Sequence, residues 1–162
     1  MYAKILVPVD GSVAAKLGLQ EAVKLAHSLN ARISLVHVVD IYPVLTCDVA
    51  AASYDVVFDM LRANGAQLLK EAVAVVSHEG ILGDSALLEG RDLQVGECIV
   101  RQAREFKADL IVCGTHGRRG VRRLVMGSDA EYIVRHSTVP VLLVRKPDAT
   151  EVQRSAAAVA AA

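Results

Sequence analysis

The stretch Gly114–Glu131, "GTHGRRGVRRLVMGSDAE", decides how this chain is read. It follows the apolar run "ADLIVC" (Ala108–Cys113) and sets Gly114, Gly117 and Gly127 among four arginines in the frame G-x2-G-x9-G-S. It is too polar for core and too long for a minimal turn. Most βα loops run about 2–6 residues, and longer ones are functional or disordered. Glycine lets backbone approach a ligand closely and permits positive φ. Ser128 and Glu131 fit the capping box S-x-x-E, which makes Ser128 the expected N-cap of a helix. The first-turn N–H groups of such a helix, with its dipole, favour a phosphate. Plainer readings stand beside this one. A capping box alone accounts for Ser128, the glycines suit turn punctuation, and Arg118, Arg119, Arg122 and Arg123 suit a solvated face. The segment "VRRLVM" fits a turn of helix inside the loop.

Outward from this loop, apolar runs alternate with helical periods. "KILVPV" (Lys4–Val9) reads as a first strand, closed by Asp10-Gly11-Ser12 with Ser12 as N-cap. Ala15, Leu19, Ala22, Val23, Ala26 and Leu29 make a helical stripe ending at Asn30, an expected C-cap. "RISLVHVV" (Arg32–Val39) is the second strand, and residues 41–50, with Pro43, are irregular. A long helix is expected over Ser53–His78, ended by Gly80 and Gly83, followed by a short strand Ser85–Gly90. A helix over Leu93–Lys107, a strand Asp109–Gly114, a helix from Ser128 and a strand Val139–Arg145 complete the pattern. Strands alternating with helices predict an α/β fold: a five-stranded parallel sheet with helices on both faces, Rossmann-like. Right-handed crossovers favour the order 3-2-1-4-5. That order changes direction between strands 1 and 4, where ligands bind beyond the carboxyl ends. Asp10 and Gly114 both open onto that place.

Composition narrows the function classes. The chain has 162 residues, which suits one domain over residues 1–146 with a flexible Ala-rich tail over 147–162. Hydrophobic residues make up 53% and mean hydropathy is +0.37, as expected for strands buried on both faces. Lys+Arg and Asp+Glu are both 18. A net charge of zero makes no case for nucleic acid or an anionic membrane. No apolar run reaches the roughly 18 residues of a membrane helix. "MYAKILVPVD" enters a strand at once, without a signal-like core. Cys47, Cys98 and Cys113 show no CxxC spacing, and an odd count argues for reduced, buried thiols and a cytoplasmic protein.

Individual candidates divide in the same way. A carboxylate at Asp10 suits a ribose or base amine, and equally the backbone N–H of Ser12 or Val13. His116 reads as an exposed loop histidine or an acid–base group. His27, His37, His78 and His136 have no metal-ligand spacing, and His37, inside an apolar strand, reads as a packed, hydrogen-bonded residue. Met126 covers a purine or fills core. The loop is not G-x-x-x-x-G-K-[ST], no G-x-G-x-x-G follows a strand, and there is no G-x-S-x-G elbow.

"PVDGS" after the first strand, "LVHVVD" in the second and "GTHGRRGVRRLVMGSDAEYIVRHSTVPVLLVR" together resemble the universal stress protein family over about residues 2–146. The G-x2-G-x9-G-S frame resembles its ATP-binding branch, as opposed to members that lack the glycines and do not bind nucleotide. The resemblance implies that Asp10 and the backbone at Val38 lie near ribose and adenine, and that Pro8 and Val9 line the base pocket. It implies that Gly114, His116, Gly117, Gly127 and Ser128 surround ribose and phosphates. Asp129 departs from the small apolar residue often found there and would repel phosphates unless it points away or meets Mg²⁺. Family members are typically homodimers. Strand 5 also invites pairing on its own account, because "VPVLLV" is an apolar edge without inward charge. The expected function is an ATP- or adenine-nucleotide-binding stress-response or signalling module. Its alternatives are a slow ATPase or self-phosphorylating enzyme using Asp10, Asp129 or His116, and a dimer with an empty site.

Overall fold

The computed structural model describes residues 1–40, 54–90, 93–115 and 126–145. Among these residues nine elements follow in order: β1 (Lys4–Pro8), α1 (Val13–Leu29), β2 (Arg32–Asp40), α2 (Tyr54–His78), β3 (Gly83–Gly90), α3 (Val95–Phe106), β4 (Leu110–Gly114), α4 (Ser128–His136) and β5 (Val141–Val144). The strands form one sheet in the order β3-β2-β1-β4-β5, and every pairing is parallel. This is the order expected from the sequence.

Alternation along the central strands sorts the core into two layers. Ile5, Val7, Ile33 and Leu35 face α1 and α2, where they meet Leu19, Ala22, Leu69, Ala72 and Val76. Leu6, Val36, Val38 and Ile111 face the other way, onto Cys98, Ile99, Ala103 and Ile133 of α3 and α4. Strands covered on both faces need apolar residues at consecutive positions, which is why "ILV" in β1 is wholly buried. Each such side chain contributes about 1.5–3 kcal/mol of transfer free energy.

The element ends have local causes. Ser12 caps α1, its Oγ accepting from the Ala15 N–H at 3.1 Å, and Asn30 ends α1 in the left-handed region at φ 52°. Lys107 ends α3 in the same way at φ 55°. Gly80, at φ +70°, ends α2, but Gly83 is the first residue of β3 and not a helix stop. The helix expected from Leu93 begins at Val95, because Gln94 is already extended at φ −66° and ψ 152°. β5 is shorter than expected: Pro140 has no N–H, and its carbonyl takes the Ile111 N–H just before the strand starts.

Candidate functional site: the crevice between the first and fourth strands

β1 and β4 part because of a proline. Val9 turns its N–H toward β2, donating to the Val36 carbonyl at 2.8 Å. Alternation then turns residue 8 toward β4, and Pro8 has no proton to donate. The β1–β4 register accordingly runs only through Ile5↔Leu110 and Leu6↔Ile111, although β4 continues to Gly114. Above this point the two strands no longer pair, at the topological switch of the sheet, which is where open α/β sheets take ligands in a crevice.

One wall is the turn Val9–Ser12. Asp10 Oδ1 accepts from the Ser12 N–H at 2.9 Å. This is the turn-residue role that the sequence left open for Asp10. Gly11 takes φ +81°, a conformation that favours glycine. Val9 is buried, and its carbonyl accepts from His37 Nδ1 at 2.6 Å, so His37 is the packed, hydrogen-bonded histidine expected. Val38 follows on β2, buried against the α3 side of the sheet.

The opposite wall is the base of the long loop. Thr115 donates its N–H to the Val144 carbonyl, and its own carbonyl accepts from the Gly127 N–H, both at 3.0 Å. These bonds bring the two ends of the loop together and set the start of α4 beside the end of β4. Gly114 has a different reason to be glycine from the one its place in the frame suggests. A Cβ there would lie 2.7 Å from the Ala14 carbonyl carbon, 2.7 Å from its Cβ and 2.9 Å from its oxygen. The missing side chain lets α1 sit directly on the end of β4. Gly18, one turn further along α1, faces the Cys113 and Gly114 backbone at 3.5 Å.

The expected capping box does not form. Gly127 is the N-cap of α4, at φ −63° and ψ 149°, and Ser128 is already the first helical residue. The Ser128 hydroxyl is therefore one position too far along to cap. Glu131 donates its N–H to the Gly127 carbonyl at 2.9 Å, while its carboxylate pairs with Arg135 at 2.7 Å. The helix ladder begins with that Glu131 bond, so the N–H groups of residues 128–130 precede it. Gly96 of α3 holds this helix start from behind, since a Cβ there would come within 3.0 Å of the Asp129 carbonyl and 2.8 Å of Tyr132 Cβ.

Pro8, Val9, Asp10 and Val38 thus lie at the carboxyl ends of β1 and β2, and Gly114 closes β4. Met126, half-buried, and Gly127 precede α4, and Ser128 and Asp129 form its exposed first turn. His116, Gly117, the four arginines of the loop and Cys47 lie outside the described residues. Sequence reasoning passed over Thr115, Gly18, Gly65 and Gly96. The three glycines carried a signal, since glycine inside a helical pattern marks a close approach.

This geometry can be compared with known proteins. The sequence model of the universal stress protein family matches residues 1–145. The chain belongs to that family. A universal stress protein of Methanocaldococcus jannaschii is 33% identical over 147 residues, covering 91% of this chain and 84% of the relative. The crystal structure of a family member from Burkholderia pseudomallei is 35% identical with a TM-score of 0.72, over 88% of this chain and 96% of that one. The universal stress protein of Archaeoglobus fulgidus in complex with dAMP is 27% identical with a TM-score of 0.61, over 88% and 98%. The universal stress protein fold is therefore shared across nearly the whole matched length.

Proposed function

We propose that this universal stress protein binds an adenine nucleotide, with ATP as the working ligand, in the crevice between β1 and β4, and acts as a homodimeric stress-response or signalling module in the cytoplasm. The observation that carries the reading is the pinch at Thr115. It seats the N-terminus of α4 beside the end of β4, the strand that adjoins β1 at the switch point of the sheet. In this reading the base lies against Pro8, Val9 and the Val38 backbone, and the ribose meets Asp10. The phosphates meet the start of α4 at Gly127 and Ser128, with Gly117 and His116 completing the cradle. Met126 covers the base. The dAMP complex of the Archaeoglobus fulgidus relative supports the ligand class. Asp129 lies in the exposed first turn, and a carboxylate there favours Mg²⁺ accompanying the phosphates. The functional unit in this reading is residues 1–146.

The dimer forms through β5. The two sheet edges differ in chemistry. β3 carries Asp84, Ser85 and Glu89, and Asp84 faces Arg32 at 3.7 Å, which blunts that edge. β5 reads Val-Leu-Leu-Val, with Leu142 exposed. Among the described residues two free thiols, Cys98 and Cys113, are buried, which suits a reducing compartment.

Isothermal titration with ATP, with and without Mg²⁺, tests the ligand. Saturable one-to-one heat that is lost in Gly127→Val is expected. No heat at millimolar nucleotide would leave the structural dimer as the reading. Turnover above the buffer rate, abolished in Asp10→Ala or His116→Ala, would favour the slow ATPase or self-phosphorylating enzyme.

A further inference from the structure

β2 carries a buried imidazole that the nucleotide reading does not use. Even-numbered residues of β2 exchange hydrogen bonds with β1: Arg32 donates to the Ala3 carbonyl, and Val36 accepts from Val9. Ile33 turns the other way, donating to the Leu82 carbonyl beside β3. Val38 therefore turns its N–H toward β1, at the level of Val9. The regular continuation of a parallel ladder would have that N–H donate to the Val9 carbonyl. The Val9 carbonyl instead accepts from His37 Nδ1 at 2.6 Å. Among the described residues no backbone hydrogen bond joins Val38 to Val9.

A carbonyl only accepts, so Nδ1 carries the proton of this bond. The ring is held in place from its other side. A Cβ at Gly65, in the interior of α2, would lie 2.6 Å from His37 Cδ2, 2.8 Å from Leu87 Cδ1 and 3.1 Å from His37 Nε2. Glycine inside a helix is normally unfavourable, and here its bare backbone provides the slot for the ring. The imidazole is thus clamped between α2 and the end of β1.

We propose that His37 is a positioning residue for the base-binding edge: its imidazole takes over the Val9 carbonyl and so leaves the Val38 N–H directed into the crevice. The nitrogen-bearing edge of a purine offers an acceptor for such a group. This role rests on the nucleotide reading for its purpose, but not for its geometry.

Two variants of the full chain separate a donor role from a packing role. His37→Phe keeps a ring and removes the donor. His37→Asn keeps a donor near the Nδ1 position and removes most of the ring. Titration with dAMP is expected to show affinity lowered about tenfold in His37→Phe, the scale of one hydrogen bond, and held within about threefold in His37→Asn. Amide hydrogen exchange of the ligand-free protein gives a readout that needs no nucleotide. In His37→Phe the Val9 carbonyl is released to Val38, so exchange at Val38 slows about tenfold or more relative to the wild type, while His37→Asn leaves it unchanged. Affinity that follows urea stability in both variants, or Val38 exchange equal in all three proteins, would overturn the proposal. Wild-type protein that binds no dAMP would count against the nucleotide reading, and the exchange data would then decide the His37 role alone. Should His37→Phe not fold, His37→Leu, which also lacks the donor, takes its place in both measurements, with slowed exchange at Val38 expected and wild-type exchange overturning the role.

Discussion

Gly114 and Gly18 face one another across the α1–β4 contact, and alanine at the two positions is expected to have opposite effects. At Gly114 the new Cβ would lie 2.7 Å, 2.7 Å and 2.9 Å from three atoms of Ala14. Ordinary contacts begin near 3.5 Å, so α1 would have to retreat by most of an ångström. None of the three atoms belongs to a flexible side chain, and the helix start is tied down by Ser12 and Asp10. Overpacking of this kind costs about 1–3 kcal/mol, and the rigidity of the contact puts Gly114→Ala in the upper half of that range. For a chain of this size that corresponds to a fall in Tm of roughly 4–12 °C. At Gly18 the Cβ would meet the Cys113 and Gly114 backbone at 3.5–3.7 Å, which is ordinary contact. Removing an interior helix glycine then stabilises by roughly 0.5–1 kcal/mol. Urea unfolding followed by circular dichroism, with calorimetry for Tm, measures both. If Gly114→Ala lies within 0.5 kcal/mol of wild type (about the noise of a neutral substitution), or if Gly18→Ala destabilises as much, the packing account of Gly114 fails and its place in the glycine frame must be explained by ligand alone.

Burial pushes the Cys113 thiol up from 9.0 to about 12. The unfolded chain loses this proton first, so stability is complete below pH 9 and falls as pH rises toward 12; at about 1.36 kcal/mol per unit, the whole window is worth about 4 kcal/mol. Urea midpoints at pH 8, 9.5 and 10.5 should decline more steeply for the wild type than for Cys113→Ala, and parallel slopes would contradict this. Leu142→Lys places a charge on the exposed face of the apolar edge β5 and is expected to convert the proposed dimer to monomer in sedimentation equilibrium without loss of helical signal. A wild type that sediments as a monomer would remove the dimer from the reading.

The sequence by itself determined the class of fold, the strand order and, with it, the switch point between β1 and β4. These follow from periodicity, since a continuous apolar run such as "ILV" (Ile5–Val7) is stable only with both faces covered, and alternating helices provide that cover. The caps Ser12 and Asn30 were also legible, because each acts within its own turn of chain. Tertiary structure decided what local pattern leaves open. The motif at Ser128–Glu131 fits a capping box, but the long-range bond from Gly127 to Thr115 fixes the loop so that Gly127 becomes the N-cap. Gly114 sits in a phosphate-like frame, yet its bareness is required by Ala14, one hundred residues earlier in the chain. His37 reads as a packed residue from sequence, and only the tertiary structure shows which carbonyl it takes. Periodicity records which face of an element is buried, whereas contacts between distant segments depend on distances of a few tenths of an ångström, which no spacing of residues along the chain encodes.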